Sequence, residues 1–188
     1  MERILVLDVD GVLVDSGWLE KIWMKVQRFL GIESTPKFFF LIKEAIDFIK
    51  TPSLKPEAVN FFEQLKTRGR GDYKIGIITD RSYLSLLKIC KKNKIFFNQF
   101  EFIQVRKSML DKLNRNIRFD DRIRRCSKVK PHIHIFARLE LFRIVLGISE
   151  QMVLIIDDSE NIRNIASDIF GFKAISSLSI DFNPHAYA

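Results

Sequence analysis

The chain has 188 residues, 47% of them hydrophobic and 29% charged, with a formal net charge of +8. That composition suits one globular core with a small appendage. It excludes a membrane helix, because the longest apolar runs are about five residues against the eighteen or so required, and Cys90 and Cys126 are too few for a disulfide framework.

The charge is unevenly placed. Residues 106–130 hold ten basic and three acidic side chains, a surplus of seven, whereas all remaining residues together carry a surplus of one. The molecule therefore reads as a near-neutral domain with one basic segment. Asp8 and Asp10 interrupt the apolar stretch near the N-terminus, which does not read as a signal peptide. A reducing cytoplasm is the expected address.

In chain order, the first apolar run is 4–7, short, continuous and rich in Ile, Leu and Val, as strands buried on both faces of a parallel sheet read. Two helical stretches follow at 18–30 and 37–50, before Pro52 and Pro56 reset the chain. Val59, Phe62 and Leu65, widened by Phe61, give a helical face, and a second strand occupies 75–78. Leu84, Leu87 and Cys90 mark the next helix, and 102–105 is a weaker strand.

Within the basic segment Met109, Leu110, Leu113 and Ile117 form a helical apolar stripe. Ile135, Leu139, Phe142 and Leu146 mark a further helix, and 153–156 is a strand. The chain then runs through a helix at Ile162, Ile165 and Ile169, stopped by Gly171, to a last strand at 172–175. Strands alternating with helices predict an α/β fold, a doubly wound (Rossmann-like) parallel sheet with helices on both faces. Right-handed crossovers then bring every strand's carboxyl end to one edge.

Each strong strand stops at polar residues: Asp8-Val9-Asp10-Gly11, Thr79-Asp80 and Asp157-Asp158-Ser159. Carboxylates converging on one edge repel one another, and a hard divalent cation such as Mg²⁺, which takes oxygen ligands, relieves the conflict. Lys130-Pro131 adds a point positive charge. Carboxylates, a metal, a hydroxyl and a lysine describe a phosphoryl-transfer site better than an acyl-transfer one.

Four segments in this order carry a resemblance: DVDGVLVDS from Asp8, IGIITD ending at Asp80, KPHIHIF from Lys130, and VLIIDDS containing Asp157 and Asp158. They resemble the four signatures of the haloacid dehalogenase-like (HAD) hydrolase superfamily, phosphatase type. The resemblance implies that Asp8 is the nucleophile, forming an aspartyl-phosphate, and that Asp10 is the general acid and base. It also implies that Gly11 allows the sharp exit of the chain, that Thr79 and the N–H groups after it, Asp80 included, hold phosphate at a helix N-terminus, and that Lys130 offsets charge. Mg²⁺ would be bound by Asp8, the Asp10 carbonyl and Asp158. Dehalogenating relatives lack the second aspartate, so Asp10 favours phosphate over halide chemistry.

The fourth segment departs from the common Gly-Asp pattern, with Asp157 in the Gly position and Ile162 four residues beyond Asp158. This leaves open which of Asp157 and Asp158 touches the metal; run length favours Asp158, because Asp157 continues the strand. In the third segment Ile133 replaces a proline and is flanked by His132 and His134, which read as surface or packing residues. Asp80 and Ser82 also read as helix caps, and Arg81 as an exposed helix arginine.

The expected organisation is a core of 1–15 and 53–188, a small helical cap at 16–52, with Phe38, Phe39 and Phe40 in its core, and a basic insertion at 106–128. The expected function is Mg²⁺-dependent hydrolysis of a small phosphorylated metabolite or nucleotide. A second reading makes 106–128 the surface of a nucleic-acid-binding or end-processing protein, although Phe119 is its one aromatic residue and offers no stacking platform.

Overall fold

The computed structural model describes residues 2–15, 51–68, 73–106, 123–126 and 132–178, and within 16–50 residues 22, 25, 26, 29, 42, 45, 46 and 49, all eight of them helical. Among the described residues the sheet and its flanking helices are β1 (Arg3–Leu7), α1 (Pro56–Arg68), β2 (Tyr73–Ser82), α2 (Tyr83–Lys92), β3 (Phe102–Arg106), β4 (Ile123–Cys126), α3 (His132–Val145), β5 (Val153–Ile156), α4 (Glu160–Phe170) and β6 (Lys173–Ile175). The strands form one six-stranded sheet in the order β4-β3-β2-β1-β5-β6, and every pairing is parallel. The order reverses at β1, which lies between β2 and β5.

Alternation along the strands divides the core. Leu5, Leu7, Ile75, Ile77, Ile103 and Ile156 face one layer, where α1 contributes Ala58, Phe61 and Phe62 and α2 contributes Leu86, Ile89 and Cys90. Ile4, Val6, Ile78, Val153 and Ile155 face the other, against Phe136 and Leu139 of α3 and Ile162 and Ala166 of α4. Helices thus cover both faces of the sheet, as the strand–helix alternation predicts. Aromatic edges lock both layers: Phe62 meets Phe100 at 6.3 Å on one side, and Phe136 meets Phe170 at 5.8 Å on the other. Gly76 leaves room for the Phe102 ring, which packs into the second layer over the site where a Cβ would stand.

The elements depart from the sequence expectations in identifiable ways. On α1, Val59 is 44% exposed and Ala58 fills its place in the core. On α4, Ile169 is exposed while Ala166 is fully buried, so a small residue makes the close helix–sheet contact that apolar periodicity overlooks. Gly171 does end α4, at φ 67°. Strand β2 continues four residues past its apolar run, to Ser82.

The basic segment also contributes to the sheet. Residues 123–126 form its edge strand β4, in register with β3 from Ile103↔Ile123 to Arg106↔Cys126. Edge strands commonly carry charge, which blunts pairing with other chains. This explains why Ile123-Arg124-Arg125-Cys126 does not look like a strand. The stripe from Met109 to Ile117 lies outside the described residues. No described helix is long and apolar enough to cross a membrane.

Cys90 lies in the first core layer, and burial pushes its thiol up from 9.0 to about 12. The protonated form is favoured in the fold, so its contribution to stability is complete below about pH 9 and is lost as pH rises toward 12, at about 1.4 kcal/mol per pH unit. Chemical denaturation at about pH 8 and about pH 10 is expected to show a larger loss of stability for the wild type than for Cys90→Ala. Equal losses would remove Cys90 as the cause.

Candidate active site

The site grows from the carboxyl ends of β1, β2 and β5. The β1–β5 register ends at Leu7↔Ile156, and the Asp8 N–H continues it by donating to the Ile156 carbonyl at 2.9 Å. Asp8 and Asp157 are therefore the next residues on adjacent strands. Beyond Asp8 the chain folds into a tight loop: the Leu13 and Val14 N–H groups both donate to the Val9 carbonyl at 2.9 Å, and the Gly11 N–H to that of Val14 at 2.8 Å.

Gly11 has φ 77°, the left-handed region, and a Cβ there would fall inside the Asp158 carboxylate. Both facts require glycine at this position. Lys55, at the foot of α1, donates its Nζ to the Gly11 carbonyl.

Ligand-type oxygens of Asp8, Asp157 and Asp158 all lie within 4.8 Å of one another. Asp8 is 5% and Asp157 4% exposed, whereas Asp158 faces solvent. Backbone donors orient the two buried acids: the Val9 N–H donates to Asp8 Oδ1 at 2.7 Å and the Ser159 N–H to Asp157 Oδ1 at 2.9 Å. Arg163 spans the carbonyl side of the same turn, its Nη1 donating to the Asp157 and Asp158 carbonyl oxygens at 2.8 Å each. Three carboxylates this close are the donor set a hard divalent cation takes, and the charge crowding itself favours one.

The Asp10 carboxylate is not part of that group. It turns toward β2 and accepts from Arg81, with Nη2 at 2.6 Å and Nε at 3.1 Å from the same oxygen, Oδ1. Arg81 is 3% exposed and its Nη1 donates to Ser85 Oγ on α2 at 3.0 Å. The expectation of an exposed helix arginine is thus corrected: Arg81 belongs to β2, in the stretch where the β2–β3 register shifts between Ile78 and Ser82.

Thr79 is fully buried at the same irregularity, its Oγ1 accepting from the Arg81 N–H at 3.2 Å. It lies within β2 and precedes the helix start by several residues; Ser82 is the N-cap of α2, accepting from the Ser85 N–H at 3.3 Å. The Asp80 side chain is therefore not this cap, while its carbonyl accepts from Arg106 Nε at 2.9 Å.

Of the residues expected at the site, the structure brings Asp8, Asp157, Asp158 and Gly11 together around one point and pairs Asp10 with Arg81, whose N–H donates to Thr79. Lys130 lies outside the described residues. Sequence reasoning missed Lys55, Ser85, Arg106 and Arg163 and misplaced Arg81. A local signal was available for Ser85 and Arg163, which follow Asp80 and Asp158 within about two helical turns, but not for Lys55 and Arg106, whose partners lie 44 and 26 residues away.

No family profile matches the chain, and no curated protein matches it in sequence. Solved structures match its fold. The HAD domain of the effector protein Lem4 from Legionella pneumophila gives a TM-score of 0.56 at 15% identity, covering 99% of this chain and 91% of that one. A dehalogenase gives 0.52 at 17% identity over 92% of this chain and 83% of its own. Phosphoserine phosphatase in its apo form gives 0.50 at 17% identity, with 88% and 81% covered. The fold is therefore haloacid dehalogenase-like.

Gly11→Ala is expected to destabilise the protein by about 1–2 kcal/mol from the left-handed backbone alone, with a further cost as the Asp158 carboxylate is displaced. Thermal melting should show a lower Tm than the wild type, and an unchanged Tm would contradict the packing described at this turn.

Proposed function

We propose that the protein is a Mg²⁺-dependent phosphomonoester hydrolase that works through an aspartyl-phosphate on Asp8. The observation that carries this reading is the convergence of Asp8, Asp157 and Asp158 within 4.8 Å at the point where the strand order reverses. Phosphatases and dehalogenases share this fold, and Asp10 two residues after Asp8 supports the phosphate branch, because dehalogenation has no leaving oxygen to protonate.

Asp8, Asp157 and Asp158 would hold Mg²⁺, which supplies charge neutralisation between the nucleophile and the phosphoryl oxygens. An Asp8 carboxylate oxygen attacks phosphorus; the new O–P bond forms as the ester P–O bond breaks. Asp10 gives its proton to the departing alkoxide. Asp10 then takes a proton from a water whose oxygen attacks the phosphoryl group, and Asp8 leaves as carboxylate with inorganic phosphate released. Thr79 and the backbone N–H groups of the β2 irregularity would hold phosphate oxygens, and Lys130 would add positive charge there. Residues 16–52 would form the cap that selects a small phosphorylated substrate.

Release of phosphate from an aryl phosphate in Mg²⁺ tests this directly. Activity is expected to vanish with chelator and return with Mg²⁺, and Asp8→Asn is expected to fall to background. Asp10→Asn should lose roughly 10²–10⁴-fold. Full activity in Asp8→Asn, or halide release from a 2-haloalkanoate without phosphatase activity, would overturn the assignment.

A further inference from the structure

In the reaction proposed above Asp10 carries the proton, so its orientation decides whether that proton reaches the leaving oxygen. The Asp10 carboxylate lies apart from the group formed by Asp8, Asp157 and Asp158. Two nitrogens of one planar guanidinium, Arg81 Nη2 at 2.6 Å and Nε at 3.1 Å, converge on its Oδ1. The Arg81 side chain is itself fixed, 2% exposed and donating through Nη1 to Ser85 Oγ. Its N–H meets the Thr79 hydroxyl. One residue thus ties the proton carrier to the phosphate-side hydroxyl and to the first turn of α2.

We infer that Arg81 is a positioning residue for proton transfer: its fork holds Asp10 in one rotamer with Oδ1 saturated, so that the proton is carried at Oδ2 and delivered to the leaving-group oxygen. The inference rests on the phosphatase reading and goes beyond it, since a lysine or a remote cation would supply the same charge but not the two-donor geometry. It also sets substrate preference. An alkyl phosphate departs as a strongly basic alkoxide and depends on that proton, whereas an aryl phosphate departs as a phenoxide and depends on it far less.

The test compares kcat and KM for an alkyl and an aryl phosphate in the wild type and in Arg81→Lys, which keeps the charge and loses the fork. The alkyl kcat is expected to fall at least about tenfold further than the aryl kcat, with both KM values little changed. Equal losses on the two esters, or full activity of Arg81→Lys on both, overturn the positioning role while leaving the hydrolase assignment standing. Absence of phosphate release by the wild type overturns both. Should Arg81→Lys not fold, Ser85→Ala removes the support of Nη1 and keeps the Arg81–Asp10 pair; a smaller shift of the same ratio is expected, and an unchanged ratio overturns the inference.

Discussion

Crowding of negative charge on one sheet edge is the constraint that the rest of the site answers. Asp8, Asp10, Asp157 and Asp158 all arrive there because parallel strands with right-handed crossovers point their carboxyl ends the same way. Asp8, Asp10 and Asp157 are buried, where solvent does little to screen them. The chain responds by bringing cations onto the turns themselves. Lys55 takes the Gly11 carbonyl, Arg106 that of Asp80, and Arg163 those of Asp157 and Asp158, while Arg81 takes the Asp10 carboxylate. Three of the four bind backbone oxygens and so hold the turns in place. Asp8, Asp157 and Asp158, gathered within 4.8 Å of one another, form a cluster of negative charge that a divalent cation could balance.

Sheet topology decides why the crowding falls between β1 and β5. The strand order reverses at β1, and in open α/β sheets such a reversal opens a crevice at the carboxyl ends of the strands. Hydrogen bonding carries the β1–β5 ladder one residue further, to Asp8, and the β5–β6 ladder to Asp157, whose N–H donates to the Ile175 carbonyl at 3.1 Å. The buried acids are therefore placed by strand geometry. Asp158 lies one residue past that regularity, in the turn, and is exposed. Its position depends on Gly11, which gives up a side chain to make room for it.

Much of this was legible in the sequence because burial on both faces leaves a strong mark. The runs 4–7, 75–78 and 153–156 are continuous and apolar, and each ends at the residues that build the site. What escaped shares a physical cause. Ala58 and Ala166 make close contacts without the bulk that marks a core position. The edge strand β4 carries arginines because an edge must discourage further pairing. Arg81 is buried by a partner seventy-one residues away, which no local pattern can report. Run length favours Asp158 over Asp157 as the metal contact, and the structure puts both beside Asp8, Asp157 buried with the Ser159 N–H on its carboxylate and Asp158 in solvent.

Neighbours two residues apart meet different surroundings: Asp8 lies with Asp157 and Asp158, and Asp10 meets the Arg81 guanidinium. Asp8 and Asp10 lie close in the same chain segment, yet the loop closed by Leu13 and Val14 on the Val9 carbonyl turns the chain between them. Asp8 is thereby left with Asp157 and Asp158, while Asp10 is directed to β2. In the reaction proposed, the nucleophile would need an environment that tolerates its charge as a bond to phosphorus forms, and the proton carrier a fixed direction more than a compensating metal. The buried guanidinium of Arg81 provides direction, and breaking a buried ion pair by removing one partner typically costs about 3–5 kcal/mol, on the order of a large share of a domain's stability. Such a pair is retained where geometry matters more than stability, since an apolar pair of similar size would hold the fold at lower cost.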